Sequence, residues 1–400
     1  MKHRSIRFNS FLLLALPIGL SCVSLPLIAE EAAAGALSER PWSTVVGIYH
    51  WGGRRASGLS SGVADVVALN AGVMRITLSA RMAIDYNTGF QCIPEFTLAG
   101  TLDDPDVLAA ITDPRLQVIM ITAYDGTGFS DCVTNNYIHP TFYSKDNTAR
   151  MVGEYSEFVY RLHRLLNGSH KKVILSNWEG DNALYCGSAY SYLNDVKFRQ
   201  GCDEMYPAAY AGNAGPRESV EGMVLWLRAK YLGMNLGNIR AAEEGLTETQ
   251  VFQAPEISVV HALKDRGYAS VLYDVLPRTP FDYVSYSCYE ILNNPDPGAA
   301  LREDLNLIQL ATGSRRIVLG EVGYPRSAMG ERLIPATLSV VAEAISWGVE
   351  YIIQWNLYDQ GPGTDFGMYD SDGRLTVLGE YYRQLFSVER AKMSEIFLGS

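Results

Sequence analysis

Basic side chains are scarce in this 400-residue chain: 33 Lys and Arg stand against 44 Asp and Glu, for a formal net charge of −11. Phosphate backbones and anionic lipid surfaces are gripped by clustered Lys and Arg, so this balance argues against nucleic acid or anionic membrane as the main partner. The six histidines are scattered, and no Cys or His group has metal-ligand spacing. Zinc is therefore not expected, nor is any cofactor. A glycine-rich phosphate turn is also missing. The first strand candidate ends in Tyr49-His50-Trp51-Gly52-Gly53, not in the G-x-G-x-x-G spacing that opens a dinucleotide-binding fold. No Pro/Ser-rich linker and no repeat divides the chain, and nothing marks a protein partner.

What is present begins with a charged head. Lys2, Arg4 and Arg7 precede apolar runs from Phe11 to Leu20 and from Val23 to Ala29, and small residues follow at Ala32 to Ala34. This order reads as a signal peptide and leader over residues 1–34, which implies a secreted or periplasmic protein. Pro17 and Gly19 break the run and argue against a permanent membrane anchor. Gly19-Leu20-Ser21 before Cys22 is a poor match to a lipoprotein site. In an exported chain, loop cysteines tend to pair. Cys186 with Cys202 and Cys92 with Cys132 are the expected pairs, and Cys288 is left free.

Short β-branched segments alternate with helical patterns through the rest, which calls for a parallel sheet with crossover helices. Eight strands are expected: 44–49, 73–78, 117–122, 172–177, 250–254, 283–287, 316–320 and 351–355. Helices are expected over 148–166, 217–232, 299–312, 336–347 and 378–386. Eight such units ending in a helix describe a (β/α)8 TIM barrel, an α/β fold in one domain over residues 40–390, with a tail over 391–400. The long insertion from Gly180 to Arg217, rich in aromatics such as Tyr185, Tyr190 and Tyr192, is expected to line the active site.

In such barrels chemistry sits at the C-terminal strand ends. Those ends carry His50 and Trp51 (strand one), Arg75 (two), Asp125 (three), Asn177, Trp178 and Glu179 (four), Glu256 (five), Tyr286 (six), Glu321 (seven) and Trp355 (eight). Strands four and seven are plain hydrophobic runs that stop at a glutamate. Strand alternation puts Val173, Leu175, Asn177 and Glu179 on one face, and Ile317, Leu319 and Glu321 on another. If both faces point inward, two carboxyl groups meet at the mouth. Glycosidic cleavage needs such a pair: one protonates the leaving oxygen, and the other attacks the anomeric carbon or activates water. Arg75 is placed to supply a cation for Glu321. Trp178 and Trp355 are placed to supply aromatic surroundings. Glu256, after Ala254-Pro255, is a rival acid.

This layout resembles the large clan of retaining glycosidases with (β/α)8 barrels, whose acid/base Glu ends strand four and whose nucleophile Glu ends strand seven. Gly320-Glu321-Val322-Gly323-Tyr324-Pro325 is similar to the nucleophile strand of β-1,3-glucanases and galactanases in that clan. The resemblance implies Glu179 as acid/base and Glu321 as nucleophile. It also implies Arg75 on strand two, Tyr286 bonded to the nucleophile and Trp355 under the sugar, with an oligosaccharide or polysaccharide as substrate. The clan places Asn immediately before the acid/base Glu, whereas here Trp178 stands between Asn177 and Glu179. A non-catalytic carbohydrate-binding barrel and a transglycosylase share these residues.

Overall fold

The computed structural model describes residues 40–52, 58–86, 96–128, 137–205, 217–360 and 364–387. Nine strands form one parallel sheet: β1 Val46–Tyr49, β2 Val73–Leu78, β3 Val118–Ala123, β4 Lys172–Ser176, β5 Gln250–Ala254, β6 Glu256–Ile257, β7 Val284–Ser287, β8 Ile317–Val322 and β9 Ile352–Gln354. Their order is β5-β4-β3-β2-β1-β9-β8-β7-β6. Only Pro255 separates β5 from β6, so the chain itself joins the two ends of this order and closes the cylinder. Proline has no N–H for a ladder, which interrupts one barrel strand into two. Its carbonyl still accepts from Ser285 N at 2.9 Å. The fold is therefore the expected (β/α)8 barrel, with the fifth strand split and the other boundaries within two residues of expectation.

The helices outside follow their apolar faces. Lys145–Leu165 starts at Ser144, whose hydroxyl accepts from Asn147 N, and buries Met151, Tyr155, Phe158, Val159 and Leu162. Its neighbour runs Arg217–Glu243, eleven residues beyond the expected end at Leu232. Close approach of the two helices needs glycine: a Cβ at Gly233 would stand 2.6 Å from the Val152 carbonyl, and one at Gly237 2.6 Å from that of Ser156. The insertion after β4 folds into helices Gly180–Leu184, Ala189–Asn194 and Val196–Met205. Cys186 and Cys202 are joined there, with Cα atoms 5.9 Å apart, and Cys288 is free and buried. The leader, Cys92, Cys132 and the tail lie outside the described residues. Among the described residues no helix is long and apolar enough to cross a membrane.

Two apolar cores result. The larger lies between barrel and helices and includes Val173, Leu175, Ile317, Leu319 and Tyr286. The smaller fills the barrel with Tyr49, Val73, Val118, Met120, Ile174, Ala254, Tyr283, Val318, Tyr351 and Ile353. This corrects the alternation argument: Val173, Leu175, Ile317 and Leu319 face the helices, not the interior. Continued alternation from Leu319 would aim Glu321 outward. Instead the register slips between Leu319 and Val322 against β9, and between Tyr286 and Ser287 against β7. The slip leaves Gly320 and Glu321 both on the inner side, as an extra residue in a strand does. Gly320 has to be glycine, since a Cβ there would lie 2.1 Å from both Glu256 Oε2 and Ser285 Oγ. Strand β4 ends at Ser176, so Asn177-Trp178-Glu179 leaves the ladder before reaching the mouth.

Candidate active site

Arg75, on the inner face of β2, organises the top layer of the barrel. It is wholly buried. Its Nη1 donates to Glu256 Oε2 at 2.6 Å and to the Gly320 carbonyl at 2.9 Å. Its Nη2 reaches Glu256 Oε1 at 3.1 Å, Thr122 Oγ1 at 2.8 Å and the Asn177 carbonyl at 3.2 Å. Nε donates to Thr122 Oγ1, and the Tyr49 ring lies 4.4 Å from the guanidinium carbon. A buried charge is tolerable only when paired and hydrogen-bonded this fully.

Above this layer stand two glutamates. Glu321 Oε1 is 3.4 Å from Arg75 Nη1, and Glu321 Oε2 accepts from the Tyr289 hydroxyl at 3.0 Å. Glu321 Oε1 is buried yet has no hydrogen-bond partner. Such an orphan is rare in a folded interior and calls for a reason. Glu179 is 7% exposed; its backbone N–H donates to Glu256 Oε1 at 2.9 Å, and its Oε2 accepts from the Asn182 side-chain amide.

The charges do not balance: one guanidinium serves three carboxyl groups. Burial pushes the Glu179 carboxyl up to about 8; the Glu256 charge adds to the rise, and the Asn182 amide and Arg75 oppose it. Burial also raises Glu321 well above the usual carboxylate range, with Arg75 and the Tyr289 hydroxyl opposing and Glu256 and Glu179 adding. Low-dielectric surroundings and like charges both disfavour ionisation, so this cluster holds a proton near neutrality.

Both glutamates line one cavity of about 530 Å³. Its walls are aromatic: Tyr49, Trp51, Tyr124, Trp178, Tyr289, Trp355 and Phe366. Trp355 meets Trp51 at 5.5 Å between ring centres, tilted by 31°, and Tyr49 edge-on at 5.0 Å. Trp178 is 38% exposed at the rim, its backbone N–H donating to the Tyr124 hydroxyl at 3.0 Å. Cavities of this size, apolar with a few convergent polar groups, are the usual form of a small-ligand site.

Of the residues singled out from the sequence, Glu179, Glu321, Trp51, Trp178 and Trp355 come together here, with Arg75 beneath. Five others do not line the cavity. His50 is buried edge-on between Tyr86 and Tyr358, where burial pushes its imidazole down to about 3. Asp125 is buried with its Oδ2 accepting from Thr127 N. Asn177 spends its side-chain oxygen on Glu256 N at 3.0 Å, tying the end of β4 to β6. Tyr286 faces the outer core and donates to Asp304. Glu256 is the closed partner of Arg75 and Ser285, not a free acid. Of the insertion tyrosines, Tyr185 and Tyr192 are buried, bonded to the Ala269 carbonyl and to Asp203, while Tyr190 is exposed away from the cavity.

Period-two alternation accounts for three of these corrections. Tyr49 and Trp51 share a face, so His50 lies on the other. Thr122 and Tyr124 face inward, which turns Asp125 out. Ser285 contacts Glu256, which turns Tyr286 out. The tyrosine bonded to Glu321 is Tyr289, beyond the strand end, and no strand pattern reaches it. Arg81 and Asp85, at the two ends of the short helix Met82–Asp85 that follows β2, also line the cavity. Among the described residues no group of three or more His, Cys, Asp or Glu side chains is placed to hold a metal ion.

No family model and no curated protein sequence matches the chain. Solved structures do resemble it. A GH5-4 broad-specificity endoglucanase from Clostridium acetobutylicum shares 13% identity at a TM-score of 0.51, over 86% of this chain and 97% of its own. GH5_18 from Streptomyces cattleya, solved with GlcNAc, shares 13% at 0.50, over 87% and 81%. At this identity the likeness is one of fold: the chain has the (β/α)8 barrel of these glycoside hydrolases.

Proposed function

We propose that the protein is a glycoside hydrolase that cleaves a β-linked glycan by double displacement, with Glu321 as nucleophile and Glu179 as acid and then base. The observation that carries this reading is the buried Glu321 Oε1, which has the Arg75 ion pair but no hydrogen bond, in an aromatic cavity that also holds Glu179. The two carboxyl groups differ in their partners. Arg75 and the Tyr289 hydroxyl favour the anion at Glu321, as an attacking carboxylate requires. Glu179 has one amide donor and two neighbouring carboxylates, Glu256 and Asp181, so it keeps the proton needed by the leaving oxygen. After departure of the aglycone, the same group takes a proton from water as that water attacks the glycosyl ester. Trp355 and Trp51 present flat apolar faces for sugar rings. The barrels of the two glycoside-hydrolase neighbours support the same reading. The charged head and apolar run at the N-terminus, with the Cys186–Cys202 disulfide, support action outside the cytoplasm.

The test is a panel of β-glucans, β-mannans and their aryl glycosides, with the product anomer read by NMR. Retention is expected. E321A should be inactive on each substrate yet regain turnover of an activated aryl glycoside with azide, giving the glycosyl azide of inverted configuration. Inversion by the wild type sinks the double-displacement assignment. Binding without any turnover across the panel sinks the enzymatic reading and leaves a carbohydrate-binding barrel.

A further inference from the structure

The mechanism leaves two charged residues of the cavity unused. Arg81 and Asp85 follow β2, and both line the same cavity as Glu179 and Glu321. Ser79 Oγ accepts from the Arg81 backbone N–H at 3.1 Å, which sets where the side chain leaves the turn. The Arg81 Nε is buried without a hydrogen-bond partner, while the side chain as a whole is 42% exposed. Its nearest carboxylate oxygen, Asp85 Oδ1, is 3.8 Å from Nη2, beyond hydrogen-bonding distance. Among the described residues the Arg81 guanidinium therefore has an ion-pair neighbour but no hydrogen-bond acceptor. The Asp85 side chain is nearly buried, with the Arg81 guanidinium as its ion-pair neighbour at 3.8 Å. A carboxylate has two oxygens that accept hydrogen bonds, and an ion pair at this distance fills neither.

We infer that Arg81 and Asp85, with Trp51 as floor, form a second, non-catalytic sugar subsite that takes a neutral ring through adjacent hydroxyl groups. This rests on the glycosidase reading above and names its substrate class. A hydroxyl is both donor and acceptor, so neighbouring ring hydroxyls accept from Arg81 and donate to Asp85 together. The Trp51 ring lies against Trp355, with 5.5 Å between ring centres, so the two indoles form one aromatic wall of the cavity that Arg81 and Asp85 also line. A uronic acid fits worse. Asp85 offsets the Arg81 charge, so an incoming carboxylate gains no net attraction there and still loses its hydration.

The experiment measures binding without turnover. In the E321Q background, titration calorimetry is run with β-1,4-glucan, β-1,4-mannan and β-1,3-glucan tetrasaccharides and with an acidic β-1,4-linked glucuronan tetrasaccharide. At least one neutral probe is expected to bind, and adding either R81Q or D85N should weaken it tenfold or more. The acidic probe should bind at least tenfold more weakly than the best neutral one. Circular dichroism and thermal midpoints check that both double variants fold. Neutral binding unchanged by R81Q and by D85N overturns the subsite and leaves the glycosidase reading standing. Preference for the acidic probe, lost in R81Q, overturns the neutral substrate class. If E321Q binds none of the four, the glycan cavity itself is wrong and the subsite falls with it.

Discussion

At the N-terminal end of the barrel, Lys172 donates to Glu350 at 2.6 Å and lies within 6 Å of the ring centres of Phe252, Tyr283 and Tyr351. Arg316 covers Tyr283 at 4.0 Å. At the C-terminal end, Arg75 lies over Tyr49 but is divided among Glu256, Glu321 and the field of Glu179. The residue types are the same: a cation, carboxylates and aromatic rings. Their numbers and their access to water differ. The lower cluster has a matched pair whose side chains are 20% and 22% exposed, so water shares the load. The upper cluster has one cation for three carboxyl groups, is almost dry, and leaves Glu321 Oε1 without a hydrogen bond. Perturbed, imperfectly compensated charges of the upper kind cluster at functional sites, which is what sets the two ends apart.

Substitutions at the two ends put this contrast to the test. The largest effect is on turnover: E321A should abolish it, and E179Q should lower kcat/KM by roughly 10²- to 10⁴-fold, the range for a lost acid–base group. E179Q should lose least on aryl glycosides whose leaving group needs no proton. Equal losses on good and poor leaving groups would remove Glu179 from its assigned role.

Next in size is stability. Arg75→Met strands the buried Glu256 and should cost about 3–5 kcal/mol, whereas Lys172→Met leaves Glu350 partly in water and should cost about 1 kcal/mol or less. Urea denaturation of both variants measures the difference, and equal costs would refute the contrast.

The pH dependence follows from the raised Glu179 carboxyl. A group whose folded pKa lies above its unfolded value near 4.5 adds stability below that value and loses it as pH rises through about 8. Wild-type stability should therefore decline between about pH 4.5 and 8. E179Q should show a shallower decline and exceed the wild type by about 1–3 kcal/mol above pH 8. The alkaline limb of kcat/KM near pH 8 should vanish in E179Q's residual activity. Melting and rate profiles across pH 4–9 check both.

The smallest effects separate two tyrosines. Y289F removes the donor to Glu321 and should lower kcat about tenfold while shifting the pH profile. Y286F removes the donor to Asp304 and should cost about 1 kcal/mol of stability with the pH profile in place. The opposite pattern would restore Tyr286 as the partner of Glu321.

The barrel and the two glutamates were legible because they depend on local pattern: eight apolar runs at the right spacing, two of them stopping at an acid. The faces were less so. Val173 and Leu175 are as apolar as Ile174, because a barrel strand is buried on both sides and its hydrophobicity does not mark the interior. Polar residues settle the matter only once their partners are known: Arg75, Ser285 and Thr122 point inward because they meet Glu256 or one another across the axis. That is why the strand ends alone point to His50, Asp125 and Tyr286, whose side chains turn out of the barrel.

Composition, strand spacing and the Gly320-Glu321 step are properties of the chain read along its length, and they determined a (β/α)8 barrel with carboxylates at its mouth. Which carboxylate is neutralised, which is shared and which stands open depends on distances between β2, β4, β6 and β8, segments up to 245 residues apart. Closing the cylinder around Pro255 brought Glu256 onto Arg75, and the extra residue at Gly320 turned Glu321 inward. Coulombic and hydrogen-bonding energies depend on those separations in space, so only the folded barrel divides one guanidinium among three acids.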